Sequence, residues 1–400
     1  MSYKQNKTKK SIGSLFIIRR SDISSPLLAN SAPSVDYLLL ISVIFLALFG
    51  TTMVFSSGYA YAAARYGDAW YFAKRQVIWL SLGLITMLFA SKIKPSFFKG
   101  IAPLLYLLTL FLLILVLIIG LVGNGAKRWI SIGPLTIQPS EIAKLTMVLM
   151  LARYFSDFEE LALDKINRKN SFIYGTLIPV FIMMAVIIAV MLQKHLSCII
   201  ILGIIGILVI VIAGINTKYI SFCTLLGALG VTALALFTDY TKERITVWQN
   251  PEAYKLTGGW QTLQGLMAIG SGGIFGLGLG NSLLKFSYVS EPANDMIFAI
   301  LCEELGLVGA LFAIALFALL VFRGYTIAIR QDGVFERIAA FGITTKIAVQ
   351  ALLNIAVVTN TIPNTGISLP FFSYGGSSLI MLLFEMGLLL SISRFSRIKK

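Results

Sequence analysis

The feature that most limits the fold is a succession of apolar runs, each close to the ~20 residues a helix needs to cross a bilayer. The 400-residue chain contains ten of them, at roughly 37–57, 73–91, 101–122, 139–155, 173–192, 196–214, 219–238, 296–322, 339–362 and 374–393. In hydrocarbon each peptide N–H and C=O must find a partner within the chain, and runs of this length do so as helices. The expectation is an all-α, polytopic membrane protein with ten transmembrane helices. A composition of 57% hydrophobic and 13% charged residues, outside the soluble globular range, agrees.

Basic residues orient the helices. Segments 1–36, 92–100, 153–172, 215–218, 323–338 and 394–400 carry 21 of the 33 Lys and Arg, and the opposite connections carry 10. Both termini are therefore expected to be cytoplasmic, as basic tails 1–36 and 394–400 around a membrane domain 37–393. The first tail is rich in Lys, Ser and Asn and reads as disordered. The formal charge of +15 follows largely from this bias and suits anionic headgroups, so it is no argument for nucleic acid. The first apolar run starts too late and is too long for a cleavable signal. Cys198, Cys223 and Cys302 lie in or beside apolar runs without metal-like spacing and read as small buried hydrophobes. No Walker loop, zinc pattern or dinucleotide fingerprint is present, so no nucleotide is expected.

Charges within these runs need a reason, because a charge in hydrocarbon costs at least ~2.5–3.5 kcal/mol on insertion scales. The stretch Glu291 to Glu304 holds Asp295 at the start of the eighth run and Glu303 and Glu304 inside it. Glu303 lies about 12 Å down a helix from Asp295 and within about 80° of its face. Helix capping by Asp295 and pairing of the two Glu with basic residues is the plainer alternative.

Between the third and fourth runs, Lys127-Arg128 place two cations on the outer face, where phosphate or pyrophosphate is a natural partner, and Trp129 suits an interface. Lipid headgroups would serve those charges equally well. Gly125, Gly133 and Pro134 make this segment turn. Gln138 precedes Pro139, which opens a helix with Ser140 and Glu141 in its first turn and Lys144 at i+3 from Glu141. An embedded Lys144 must pair, with Glu141 locally or with Asp295 or Glu303 across helices. His195, the only histidine, sits in a short outer connection as either a structural or a proton-carrying residue. The loop 239–295 carries Arg244, Trp248, Trp260, Gln261 and a glycine-rich run 270–282 that reads as mobile or close-packed backbone over a site. Residues 354–378 lack charge and are broken by prolines and by Gly375-Gly376, with Ser373 and Ser377 among several hydroxyls. Such irregular backbone is tolerated at membrane depth where it lines a cavity, and the glycine pair would let the last helix pack closely on a neighbour.

Four motifs in order, Lys127-Arg-Trp-Ile-Ser-Ile-Gly-Pro with Gln138-Pro-Ser-Glu-Ile-Ala-Lys144, Ala268-Ile-Gly-Ser-Gly-Gly273, Asn294-Asp-Met-Ile-Phe-Ala with Glu303-Glu-Leu-Gly306, and Leu369-Pro-Phe-Phe-Ser-Tyr-Gly-Gly-Ser-Ser378, resemble the SEDS family of shape, elongation, division and sporulation proteins. The resemblance runs from about 37 to 393, and Gly278-Leu-Gly-Asn-Ser282 is more similar to the division-type member FtsW than to the elongation-type RodA. It implies a ten-helix glycosyltransferase that polymerises lipid II into peptidoglycan on the outer face of the cytoplasmic membrane. It also implies a class B penicillin-binding transpeptidase and other divisome membrane proteins as partners. The family's essential acid, in its His-Thr-Asp-Phe-Ile-Phe motif, maps onto Asp295, with Ala293 and Asn294 departing from the pattern. Gln193-Lys-His-Leu196 and Pro363-Asn-Thr-Gly366 depart from Gln-Pro-Asp-Leu and Pro-Thr-Lys-Gly, so the second loop lacks the family's cation.

Glycosyl transfer from a lipid pyrophosphate needs a base for the acceptor hydroxyl and cations for the leaving group. Asp295 is the expected base. Lys127, Arg128 and Lys144 are the expected cations, joined by a divalent ion, Mg or Mn, at Asp295. Trp129, Gln138, Ser140, Glu141, His195, Gln261, Glu303, Ser373 and Ser377 complete the expected substrate site. A single base fits direct inverting displacement. A transporter that flips the same lipid would use Glu303, Glu304 and Lys144 along a translocation path. An elongation- or sporulation-type polymerase is a further alternative.

Overall fold

The computed structural model describes residues 35–123, 126–132, 135–163, 167–215, 239–286 and 292–395, together with 221 and 227. Most of the N-terminal tail, nearly all of the expected seventh helix at 219–238, Cys223, Glu291, Gly125, Gly133 and Pro134 lie outside them.

The helices are α1 (Tyr37–Tyr66), α2 (Tyr71–Ala90), α3 (Pro95–Ile119), α4 (Pro139–Asp157), α5 (Glu159–Ala162), α6 (Arg168–Phe172), α7 (Ile178–Leu192), α8 (Leu196–Ile212), α9 (Asp239–Gln249), α10 (Gly259–Ser271), α11 (Ile297–Arg330), α12 (Val334–Val358) and α13 (Gly376–Arg394). A π-helical turn, Ile173–Leu177, joins α6 to α7. Each expected span that falls within the described residues is a helix, and seven helical stretches there are long and apolar enough to cross a membrane. Two others differ for physical reasons. The 17-residue α8 is apolar but short. Helix α4 carries Ser140, Glu141, Lys144 and Thr146, all buried, and every residue from Ala143 to Leu149 is buried as well. It is surrounded by protein rather than lipid, which is where embedded charges belong.

Two expected boundaries move. Helix α1 continues past 57 to Tyr66 because Tyr-Ala-Tyr-Ala-Ala-Ala-Arg contains good helix formers that need no hydrocarbon to stay helical. Helices α11 and α12 extend toward each other, so the inner loop expected at 323–338 shrinks to 331–333. The connection after α3 is an antiparallel meander, β1 (Leu121–Gly123), β2 (Ala126–Ile132) and β3 (Leu135–Ile137), in which Ile130 faces Ile137 and Ile132 faces Leu135. Its β-branched residues, with turn residues between the segments, are the hairpin signal that the helix-scale reading passed over.

Close packing uses small residues. A Cβ on Gly376 would meet the Trp79 ring at 2.5 Å, and one on Gly387 would meet the Met87 carbonyl at 2.4 Å, so α13 lies directly against α2. Gly376 thus has the expected packing role, whereas a Cβ on Gly375 would meet only Ser378 of its own helix.

Helix α11 is broken at Gly306, whose φ of 66° and ψ of −164° are not helical. The glycine-rich run repairs the break. Leu277 and Gly278 N–H donate to the carbonyls of Glu303 and Glu304, and Leu307 and Val308 N–H donate to the carbonyls of Gly273 and Ile274. This exchange requires backbone contact: a Cβ on Gly306 would lie 2.4 Å from Gly276 N and Ile274 O. The run is therefore the close-packed alternative of the sequence reading. Gly306→Ala is expected to cost at least the ~1–3 kcal/mol of a strained backbone, lowering the melting temperature in detergent. Gly203→Ala, with open space around it, should leave the melting temperature unchanged; equal effects of the two substitutions would count against this account of the break.

Candidate functional site

The segment 359–375 between α12 and α13 is irregular, and side chains from several helices satisfy its carbonyls. Asn354 of α12 donates from Nδ2 to the carbonyls of Ile367 (2.6 Å) and Asp295 (2.9 Å), tying the turn before α11 to this loop. Gln350, one turn away, donates to the Ser368 carbonyl at 3.1 Å. Ser197 at the start of α8 and Arg244 of α9 donate to the carbonyls of Thr365 and Asn364, and Trp248 Nε1 donates to Asn360 O at 2.9 Å. Gln261 of α10 accepts from Asn364 Nδ2 at 3.1 Å.

Asp295 lies in this convergence. It precedes Met296, the N-cap of α11, so the capping alternative does not describe it. Its carboxylate stands beside Gly366: a Cβ there would be 3.6 Å from Asp295 Oδ2, and φ is +70°. Ala293 and Asn294, the positions that depart from the family motif, act through their backbones. Tyr374 N–H donates to Ala293 O (2.8 Å) and Ser373 Oγ to Asn294 O (2.7 Å). Ser373 is thus placed by this bond and by accepting from Leu369 N–H at 2.7 Å.

Beneath the loop, Lys144 Nζ donates to Glu141 Oε1 at 2.8 Å and to Gln350 Oε1 at 3.2 Å, linking α4 to the Ser368 end of the loop. Glu141, Gln350, Ser368 and Ser373 line one small cavity with Lys346. Ser140 Oγ is 3.4 Å from His195 Nδ1. Burial, with the cations of Arg128 and Lys144 nearby, pushes the His195 imidazole down to about 3. It is neutral at physiological pH, which favours the structural reading of this histidine over a proton carrier. Gln138 is buried at the start of α4 without capping it.

Other expected residues stand apart. Lys127 Nζ donates to the carbonyls of Leu117 and Ile118, capping the C-terminus of α3 as a cation there should. Arg128 donates to the carbonyls of Gln193 and Lys194, and Trp129 is held in β2 opposite Leu121. Ser377 lies in the first turn of α13. Glu303 accepts from Ser282 Oγ and from Leu283 N–H (2.9 Å) and Leu284 N–H (3.3 Å), and Glu304 accepts from Lys285 Nζ (2.8 Å) and Ser56 Oγ (2.5 Å). Both carboxylates serve the glycine-rich run.

Sequence reasoning passed over Asn354, Gln350, Lys285 and the buried pair Lys346–Glu385, whose atoms approach to 2.6 Å between α12 and α13. Lys346 and Glu385 each interrupt an apolar run and were detectable by the criterion applied to Lys144. Lys285 lies in a polar loop that gives no such signal. Lys144→Met leaves Glu141 charged and without its lysine partner, and removing one partner of a buried pair typically costs ~3–5 kcal/mol. A large fall in melting temperature in detergent is expected, mostly reversed in the Glu141→Gln/Lys144→Met double variant. An unshifted melt for Lys144→Met alone would count against the pairing.

Comparison with known proteins gives one answer. A family model described as a cell cycle protein and spanning FtsW, RodA and SpoVE matches residues 36–398. Stage V sporulation protein E of Bacillus subtilis is 39% identical over 374 residues, covering 91% of this chain and 98% of that protein. A protein named probable peptidoglycan glycosyltransferase FtsW, from Geobacter metallireducens, is 36% identical over 361 residues, covering 90% and 94%. A solved chain of a peptidoglycan synthase complex, described as coordinating polymerization and crosslinking, superposes with a TM-score of 0.75 at 26% identity over 90% of this chain and 99% of its own. The rod shape determining protein RodA of Thermus thermophilus superposes with a TM-score of 0.67 at 26% identity over 92% and 99%. With a family model over nearly the whole chain, relatives above 30% identity and the same overall fold, this chain belongs to the FtsW/RodA/SpoVE family, the SEDS proteins.

Proposed function

We propose that this chain is a peptidoglycan glycosyltransferase that polymerises lipid II, with Asp295 as general base, at the outer face of the cytoplasmic membrane. The observation that carries the reading is the convergence of separate sequence segments, 138–144, 193–197, 293–295 and 350–354, on the loop 364–374 that runs beside the Asp295 carboxylate. In the reaction the acceptor hydroxyl oxygen attacks the anomeric carbon of the lipid-linked sugar, the bond to pyrophosphate breaks, and its electron pair leaves with undecaprenyl pyrophosphate. Asp295 takes the hydroxyl proton. Glu141, the other carboxylate near the loop, is engaged by Lys144 rather than offered as a nucleophile, and one base fits inverting displacement.

Among the described residues Arg128 and Lys127 donate to carbonyls, and this placement of two cations supports a role in drawing the pyrophosphate to this face. Lys144 is held by Glu141 and acts by shaping the cavity below the loop. Among the described residues no group of three or more His, Cys, Asp or Glu would cage a metal. One carboxylate, Asp295, would hold a Mg2+ whose other positions go mainly to water and substrate phosphate. Such an ion would supply charge neutralisation at the leaving group.

The translocation reading is less well supported, because Glu303 and Glu304 are occupied by the glycine-rich run. Arg323, Arg337 and Lys99, paired with Asp36, Glu159 and Asp157, lie at one end of the bundle, and the excess of Lys and Arg in the connections at that end supports cytoplasmic termini. Septal synthesis with a class B transpeptidase and divisome proteins is the proposed setting, with spore-wall synthesis the alternative that the sporulation relative favours.

Asp295→Asn keeps the side-chain volume and removes the base, so strand formation from purified lipid II should fall by ~10²–10⁴-fold with an unchanged melting temperature. The assay is run with and without the transpeptidase; full activity in the variant under both conditions would sink the assignment.

A further inference from the structure

Two polar rungs join α1 to α11. At one end Arg323 pairs with Asp36 at 2.5 Å, and at the other Ser56 Oγ donates to Glu304. Between the rungs neither helix carries a charged residue, 37–55 on α1 and 305–322 on α11. The spacing is 20 residues on α1 and 19 on α11, or about 30 Å and 28 Å at ~1.5 Å per residue. A bilayer's hydrocarbon core is ~30 Å thick. The rungs therefore mark its two faces, and Glu304 stands at the face nearer Asp295.

The glycine-rich run is fixed at the same height, since its backbone bonds go to residues 303, 304, 307 and 308. Two of its polar groups turn inward, Lys285 and Ser282 being fully buried against Glu304 and Glu303, while the exposed Asn281 side chain donates to the Leu277 carbonyl of the run itself. Its large apolar side chains turn outward, with Phe275 82%, Leu283 68% and Ile274 61% exposed. This is inverted relative to a loop in water. The apolar face is also continuous with the exposed Leu307 and Val308 of α11, because Val308 N–H donates to Ile274 O. Those two residues lie inside the uncharged slab and face acyl chains.

We propose that residues 272–286 are an interfacial lipid anchor, seated at the boundary between acyl chains and headgroups of the leaflet nearest Asp295, with Ile274, Phe275, Leu279 and Leu283 inserted among the acyl chains. The glycines let the backbone lie against the broken helix, and the buried Lys285–Glu304 pair holds the inward side dry. The anchor fixes the height of the site. From Glu304 to Ile297 α11 rises about 10 Å, so the Asp295 turn stands on the aqueous side of the anchor, outside the hydrocarbon.

The test is site-directed spin labelling of the full chain in proteoliposomes, at Phe275→Cys, Leu283→Cys and, in the adjoining loop, the 87% exposed Leu256→Cys. The unsubstituted chain, labelled identically, gives the background from native cysteines. Collision with oxygen, which concentrates in acyl chains, is compared with collision with a neutral nickel chelate, which stays in water. Labels at 275 and 283 are expected to favour oxygen and the label at 256 nickel, a reversal of the ratio. Nickel accessibility at 275 and 283 equal to that at 256 would overturn the proposal by placing the segment in water. Exclusion of both reagents would overturn it in favour of a protein cover.

Discussion

Everything around Asp295 depends on satisfying an irregular backbone. Residues 359–375 carry carbonyls that no helix or ladder pairs, at the edge of a medium in which an unpaired carbonyl is costly. The protein answers with side-chain donors from α8, α9 and α12, one or two from each. Each donor thereby also fixes its own element to the loop. Asn354 is the clearest case, since its two amide hydrogens hold the loop and the aspartate turn together, alongside the bonds from Tyr374 and Ser373 to Ala293 and Asn294.

Charge obeys the same rule. Most embedded charges occur as pairs, Glu141 with Lys144, Lys346 with Glu385 and Lys285 with Glu304, each nearly or wholly removed from solvent, while Glu303 is satisfied by a hydroxyl and two backbone amides. A buried pair contributes little net stability, but its separation is costly, so such pairs specify which helices neighbour which. Lys144 reaches from α4 to Gln350 of α12, and Lys346 from α12 to α13. Helix α12 is thus held on two sides by charge while it presents Asn354 and Gln350 to the loop. The outer cations Lys127 and Arg128 differ, because their partners among the described residues are carbonyls.

The spans were legible because hydrocarbon imposes a length and an apolar requirement that no other environment imposes so strictly. Ser140, Glu141 and Lys144 stood out because polar groups inside apolar runs are conspicuous, and Asp295 because an acid at the mouth of such a run matched the family motif. The meander at 121–137 was not, because its strands of three to seven residues fall below the scale at which the chain reads as helices. Nor was the role of the glycine-rich run. Its partner is a break at Gly306 in the middle of an otherwise continuous apolar run, and a single glycine there looks like any packing glycine. The roles of Glu303 and Glu304 changed with it. Spacing placed Glu303 near the Asp295 face, but the chain's return at Ser282 to Lys285 captured both carboxylates first.

The broken α11 and the irregular 359–375 loop are two answers to one problem. A transferase acting on a lipid needs polar chemistry close to hydrocarbon, and regular helices offer a substrate only side chains. Opening the backbone supplies carbonyls and amides, but each must be paired by the protein where it does not meet substrate. At Gly306 the pairing is backbone to backbone, which demands glycines at 272, 276 and 306 and leaves no room for a side chain. At 359–375 it is side chain to backbone, which keeps the loop adjustable and its inner surface polar. The rigid repair lies at the lipid boundary and the adjustable one lies beside the aspartate, so the part that must hold its height is separated from the part that must accommodate a sugar.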